Sequence, residues 1–294
     1  MSKQINLYNI LHFFLIKIII GIFIVGGSVV LSGELFNFIF DKTGTPDDIK
    51  NLIITIPFCV IALLSYIFLF RFYEKREIKE LQLPTFTKNA IIGFLTGLFL
   101  QTLFILVIYF AGGYKIIRVN PFSFLFPSFL TALAAGFVAE ILIRGIFFRL
   151  AEEKLGTINT LLITTILFAV IHSGSNHATF LSVCATSMQA GVLLSAAFIF
   201  SRNLWVPIFL HFAWDFAEPG IFGAINPGNS IEQSLFTNEI TGPVFITGGQ
   251  TGPQNSIQSL LLCAAVSLLF LWLAKRKNNI LLPAWKRKNT ETKS

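Results

Sequence analysis

Apolar runs of about twenty residues recur along the whole chain, and they leave it few ways to fold. A helix needs roughly 20 apolar residues to cross the hydrocarbon core of a bilayer. The 294 residues are 54% hydrophobic and 13% charged, against about 25% charged in an average soluble domain. The sequence therefore predicts an all-α, polytopic membrane helix bundle with about eight transmembrane helices. The expected spans are residues 10–32, 51–70, 89–112, 122–149, 157–173, 179–200, 204–217 and 256–274.

Basic residues cluster at the ends of these spans and give the chain a net charge of +7. They form no basic, aromatic-interleaved patch on a soluble module, so nucleic acid is not an expected partner. Loops rich in Lys and Arg tend to stay cytoplasmic. We therefore expect an integral multi-pass protein of the plasma (inner) membrane, with both termini cytoplasmic. The expected cytoplasmic basic residues include Arg71, Lys75, Arg76, Lys79, Lys88, Arg149, Lys154, Arg202, Lys275, Arg276 and Lys277.

Three regions are expected along the chain: N-terminal transmembrane helices at 1–120, a membrane core at 121–275, and a basic cytoplasmic tail at 276–294. Residues 218–255 form a connection rich in Gly and Pro. A connection of this length is commonly functional or disordered, so a lid or substrate edge and a solvated linker are both open interpretations. Cys59, Cys184 and Cys263 lie inside apolar runs without metal-binding spacing and are interpreted as packing residues.

Ionisable side chains interrupt three of the apolar runs. They are Glu140 and Arg144, then His172, then His211 and Asp215. Such residues are costly at bilayer depth and usually face an interior site, so we predict that all five line one cavity. Glu140 and Arg144 are four residues apart and can pair on one helix face. The same spacing of His211 and Asp215 suits either two metal ligands or a histidine oriented by a carboxylate.

The order of these motifs resembles one family. Glu-x-x-x-Arg-Gly at 140–145, Phe-x-x-x-His at 168–172 and His-x-x-x-Asp at 211–215 are similar to motifs of the CPBP family, the CAAX protease and bacteriocin-processing (Abi) intramembrane endopeptidases. Flanking segments at 147–156 and 204–210, and the glycine-rich segment 248–254, strengthen the resemblance, which covers about residues 120–275. The resemblance implies hydrolysis of a peptide bond in a membrane-associated or prenylated substrate. The implied partners are membrane lipids and a hydrophobic or membrane-anchored peptide or protein.

The resemblance also implies roles for the residues. A glutamate and His172 would activate a water, while His211 and Asp215 would help to hold the developing oxyanion. Asp215 stands where Asn is more usual, and an ionised Asp would repel an oxyanion unless it is protonated, orients His211 or binds a metal. The family is often labelled metalloprotease, and the sequence is compatible with a divalent metal such as zinc without requiring one.

The main departure from the family motif is Ala139, which occupies the position of the first, catalytic glutamate. Adjacent helix positions are about 100° apart, so Glu140 does not simply replace that glutamate. Three explanations are compatible with the sequence: a homologue with lost or weakened hydrolysis, recruitment of Glu140 by local distortion, and an experimentally altered chain. The alternative function is a non-catalytic membrane binding or scaffold protein on the same fold. A proton-coupled carrier would also use buried ionisable groups, but we find no repeat pair that would indicate one.

Overall fold

A computed structural model describes residues 13–44, 47–175, 177–224 and 233–291. In chain order the helices and strands are α1 Phe14–Thr43, α2 Asp47–Tyr73, α3 Phe86–Phe110, β1 Tyr114–Val119, α4 Phe126–Glu140, α5 Arg149–Leu155, α6 Thr157–Ser173, α7 Phe180–Thr186, α8 Leu194–Ser201, α9 Trp205–Phe216, β2 Phe236–Ile240, α10 Val244–Thr247, α11 Ile257–Arg276 and α12 Ala284–Glu291. Short 3₁₀ turns cover Lys79–Leu81, Leu83–Thr85, Phe122–Leu125, Gly249–Thr251 and Pro253–Asn255.

The predicted all-α membrane bundle is confirmed. Within the described residues, six helical stretches are long and apolar enough to cross a membrane: Phe14–Thr43, Ile53–Tyr73, Leu83–Phe110, Phe122–Leu155, Phe180–Ser201 and Ile257–Arg276. The shorter helices α6 and α9 coincide with the fifth and seventh predicted spans. Residues 10–12 of the first predicted span, 225–232 of the Gly/Pro-rich connection and 292–294 of the tail lie outside the described residues.

One feature was not predicted: β1 and β2 pair as an antiparallel two-stranded ribbon. Tyr114 lies opposite Ile240 and Val119 opposite Phe236, with an irregularity between Ile116 and Arg118. The ribbon joins the connection after α3 to the Gly/Pro-rich segment. That segment is therefore not wholly a solvated linker, since β2, α10 and two 3₁₀ turns lie within it.

Three helical stretches among the described residues are π-helical. They are Ile141–Phe148 (π1), Ser187–Leu193 (π2) and Ala217–Ile221 (π3). π1 begins directly after Glu140 and π3 begins two residues after Asp215. π-helical turns are rare and occur frequently at functional sites. Their position next to the ionisable motifs therefore supports a functional site there. Each one also shifts which side chains face inward.

Glycines let α9 pack closely between α3 and α4. A Cβ on Gly93 would lie 2.2 Å from the Val206 carbonyl oxygen, and one on Gly97 would lie 2.5 Å from the Leu210 oxygen. A Cβ on Gly136 of α4 would meet the Ile208 oxygen at 2.9 Å. Small residues at membrane helix contacts allow this kind of backbone approach. The third motif, on α9, is thus held against two other spans.

Charged residues at one end of the bundle connect several spans. Glu74, after α2, pairs with Lys17 at 3.0 Å, with Arg76 at 3.0 Å and with Arg149 at 2.9 Å. Arg76 also binds both carboxylate oxygens of Glu80, at 2.6 and 3.0 Å. Arg76 and Arg149 are among the basic residues that the charge pattern is expected to place on the cytoplasmic side.

The acids of this cluster are held in their ionised form. Burial by itself raises the pKa of Glu80, but hydrogen bonds from Arg76 and Tyr66 outweigh it, and the pKa of Glu80 is lowered. The pKa of Glu74 is lowered too, because Arg149, Lys17 and Arg76 outweigh its burial.

Candidate active site

Glu140, the last residue of α4, is fully buried and contacts two of the predicted site residues. Its Oε1 lies 2.9 Å from Arg144 Nη1 and 2.8 Å from His211 Nδ1. Its Oε2 has no hydrogen-bond partner among the described residues. The predicted Glu140–Arg144 pair is present, and the same oxygen also joins the first motif to the third.

Arg144 lies in π1 and is only 1% exposed. Besides Glu140, its guanidinium donates a hydrogen bond to the carbonyl oxygen of Ala190 in π2. Its Cζ also lies over the ring of Phe168 on α6, 5.5 Å from the centroid. Arg144 therefore ties together three helical regions that carry or flank the motifs.

The His211 ring lies between two carboxylates. Nδ1 faces Glu140, and Nε2 lies 3.3 Å from Asp215 Oδ2. An ionised carboxylate can accept hydrogen bonds but cannot donate them. Each ring nitrogen of His211 faces such an acceptor, so both can form hydrogen bonds when the ring is the doubly protonated imidazolium. Arg144 and His211 then balance the charges of Glu140 and Asp215.

His172 lies near the end of α6 in a different arrangement. Its Nδ1 is 2.9 Å from the Phe168 carbonyl oxygen, and its ring stacks on the Phe168 ring with the centroids 6.0 Å apart. A carbonyl oxygen can only accept, so Nδ1 carries the proton and donates it. In the neutral ring, Nε2 is then left with a lone pair that can accept a proton.

An open cavity of about 230 Å³ brings the second and third motifs together. His172, His211 and Asp215 all line it. The expectation that all five ionisable residues line one cavity needs correction, because Glu140 and Arg144 are not among the lining residues and are buried behind His211 and Ala190. The remaining lining residues are mostly apolar or uncharged polar: Phe168, Thr186, Gln189, Ala190, Leu193, Leu194, Leu210, Trp214 and Gln254. Ala139 is half-buried and is not one of them.

Sequence reasoning missed two glutamines that line the cavity. Gln189 lies in π2 and donates hydrogen bonds to the Gln254 carbonyl and to Ser259 Oγ, the latter at 2.7 Å. Gln254 comes from the glycine-rich segment 248–254, which resembles the corresponding segment of the family, and this resemblance is a signal that could have found it. Gln189 carried none, because a single amide in an apolar helix has no characteristic spacing.

The described side chains do not form a metal site. Within the part of the chain that the structure describes, no three His, Cys, Asp or Glu residues are grouped so that they could hold a metal ion. Both nitrogens of His211 are directed at carboxylates. The arrangement thus does not fit the zinc that the family label suggests.

The fold and site together describe a polytopic helical membrane protein with a partly open cavity inside the bundle, lined by apolar side chains and by His172, His211 and Asp215. The family model "Type II CAAX prenyl endopeptidase Rce1-like" matches residues 121–217. All three motifs lie in that stretch, so the match confirms the CPBP resemblance that they indicated. Neither the comparison with curated proteins nor that with solved structures gives a match.

Proposed function

We propose that this protein is an intramembrane peptidase of the CAAX-protease or bacteriocin-processing type, which hydrolyses a peptide bond in a membrane-associated or prenylated substrate. The observation that carries the proposal is the row Arg144–Glu140–His211–Asp215, which opens onto the same cavity as His172. A family match alone supports a peptidase only in general.

The geometry supports different roles for His172 and His211. His172 Nε2 takes a proton from a water in the cavity, and the water oxygen attacks the carbonyl carbon of the substrate. His211, as an imidazolium, offers positive charge to the oxyanion that forms. When the tetrahedral intermediate collapses, the C–N bond breaks and the proton held by His172 passes to the leaving amine.

In this proposal Asp215 orients His211 and keeps it protonated. That is one of the three ways in which an Asp at this position is compatible with an oxyanion nearby. The contact of 3.3 Å between Asp215 Oδ2 and His211 Nε2 supports it.

The same proposal includes weakened hydrolysis because of Ala139. Glu140 is committed to Arg144 and His211 and does not line the cavity, so it is poorly placed to act as a second base beside His172. Loss of one catalytic group commonly costs several orders of magnitude in rate.

The second candidate is a non-catalytic membrane protein that binds a hydrophobic peptide in the same cavity. Ala139 favours it, because the fold and the other motif residues are retained without the usual glutamate.

In either case we propose membrane lipids as partners, since large apolar side chains are exposed along the spans, among them Phe23, Leu31, Phe68, Phe99 and Leu268. We further propose the plasma (inner) membrane, with both termini cytoplasmic.

The test compares cleavage of a fluorescently labelled membrane-peptide library by the unaltered chain and by Ala139→Glu. Ala139 does not itself line the cavity, but the family resemblance assigns the general base to this position. We therefore expect Ala139→Glu to raise the cleavage rate at least about tenfold and His172→Ala to abolish the gain. His177→Ala is the matched control, because His177 is exposed and does not line the cavity.

Other results would change the proposal. Efficient cleavage by the unaltered chain with no gain from Ala139→Glu would mean that Glu140 or a metal carries the reaction. Binding of library peptides without cleavage by either chain would favour the non-catalytic function.

A further inference from the structure

Gln254 presents an amide to the cavity in a fixed orientation. Its Oε1 lies 3.2 Å from the indole Nε1 of Trp214. An indole nitrogen can only donate, so the side chain is forced to turn its oxygen towards Trp214. The Nε2 group, with two N–H donors, is then directed away from Trp214, and no hydrogen bond within the described residues uses it.

The backbone of Gln254 is held from two sides. Its N–H donates to Glu218 Oε1 at 3.2 Å, and its carbonyl accepts a hydrogen bond from Gln189. Glu218 is itself only 5% exposed and comes from π3, one helical turn after Asp215. The hydrogen bond from the backbone N–H to the buried Glu218 side chain helps to fix the position of Gln254.

A tight turn that contains Gly248 and Gly252 places Gln254 at the cavity. Gly248 has φ 75°, and a Cβ there would lie 1.7 Å from the Gly252 carbonyl oxygen. Gly252 itself has φ 82°. The next residue, Asn255, anchors the far side through its Oδ1, which accepts a hydrogen bond from Thr186 at 3.0 Å. The turn is therefore a built structure at the cavity, which favours a substrate edge over a linker.

We propose that the Gln254 amide donates a hydrogen bond to the substrate carbonyl oxygen as it becomes an oxyanion, and that Glu218 is a positioning residue for it. This inference rests on the proposed peptidase function. It also accounts for Asp215: a carboxylate there has no N–H to offer, and Gln254 lines the same cavity and supplies one. Preorganised donors of this kind act where charge develops in the transition state.

The test measures the binding of two labelled peptides to the full chain in detergent by fluorescence anisotropy. One is a peptide substrate, and the other is its phosphinic analogue, in which a tetrahedral, negatively charged group replaces the scissile amide. Gln254→Met removes the donor without adding charge. We expect it to weaken binding of the phosphinic peptide about tenfold or more while changing the affinity for the parent peptide less than about threefold.

The controls separate this role from a structural one. Gln250→Met alters an exposed glutamine of the same turn and should change neither affinity. Glu218→Ala should reproduce the selective loss, whereas Glu218→Gln, which keeps an oxygen acceptor for the Gln254 N–H, should restore binding. Gln254→Leu, which also removes the amide donor without adding charge, covers the case in which the Met variant fails to fold.

The outcomes are distinguishable. Unchanged affinity for the phosphinic peptide in Gln254→Met, or an equal loss for both peptides, overturns the assignment of Gln254 and leaves the peptidase proposal standing. If the unaltered chain and Ala139→Glu neither bind these peptides nor cleave any, the proposed function fails, and the inference fails with it.

Discussion

Glu140 Oε1 and His211 Nδ1 lie 2.8 Å apart, although 71 residues separate them in the chain. The contact joins the end of α4 to the middle of α9, and Glu140 is completely buried. Arg144 shares the same oxygen. The first and third motifs are therefore one hydrogen-bonded unit, and the stability of the bundle and the orientation of His211 should depend on each other.

A double-mutant cycle on Glu140 and His211 should show this coupling. Glu140→Gln leaves Arg144 and His211 short of a negative partner inside the bundle, so we expect the free energy of unfolding to fall by about 3–5 kcal/mol. Combined with His211→Asn, the coupling energy should be about 1–3 kcal/mol in denaturant titrations of the micelle-bound protein. Glu153→Gln is the control: Glu153 also pairs with an arginine, Arg149, but its side chain is 50% exposed, so less than about 1 kcal/mol is expected. Strict additivity would contradict the coupled unit.

Arg144→Ala should lower both thermal stability in detergent and any activity. The change removes the Glu140 pair, the hydrogen bond to Ala190 and the contact with Phe168, and a buried carboxylate loses its partner at about 3–5 kcal/mol. Differential scanning fluorimetry gives the unfolding temperature. Arg118→Ala, an exposed arginine in β1, is the matched control and should have little effect. A fully stable Arg144→Ala protein would count against the structural role of the pair.

Gly93→Ala should destabilise the bundle through backbone contact alone. Its Cβ would lie 2.2 Å from the Val206 oxygen, so α3 and α9 must separate, at a cost of about 1–3 kcal/mol. Gly27→Ala in α1 is the control, because nothing lies within 4 Å of a Cβ there. Gly93→Ala should unfold at a clearly lower temperature than Gly27→Ala. Equal temperatures would mean that the close approach of α3 and α9 is not needed for stability.

Acidification should destabilise the protein in part through Glu74 and Glu80. Both have a pKa below the ordinary 4.5 in the folded state. Their contribution is therefore complete above about pH 4.5, the value expected when unfolded, and is lost as the pH falls through the folded-state pKa values. Unfolding temperatures measured between pH 7 and pH 3.5 should fall less steeply for Arg76→Gln than for the unaltered chain, because Arg76 contacts both acids. Parallel curves would show that Arg76 does not hold these acids in their ionised form.

Local sequence patterns were sufficient for much of the fold. Apolar runs in the sequence identified the six long helical stretches within the described residues, and also the shorter helices α6 and α9. The β1–β2 ribbon was not found, since Tyr114–Val119 and Phe236–Ile240 pair across more than a hundred residues. No local signal reports such a pairing.

The candidate site also has features that local spacing predicts and features that it does not. Spacing alone predicted the pair of Glu140 with Arg144 and the proximity of His211 to Asp215, because residues four apart share a helix face. It could not predict that Glu140 contacts His211 and does not line the cavity, since the two residues lie on different helices, 71 residues apart in the chain, and helix spacing does not report how two helices pack.

The sequence by itself determined the membrane bundle, the order of the three motifs and the alanine at position 139, because apolar length, residue order and residue identity are properties of the chain. Only the tertiary structure decided which motif residues reach the cavity, which are buried behind it, and that Gln254 joins His172 there. Those relationships depend on how closely glycines let α9 approach its neighbours and on where a glycine turn returns to the bundle. Both are contacts between segments distant in sequence, and local patterns do not encode them.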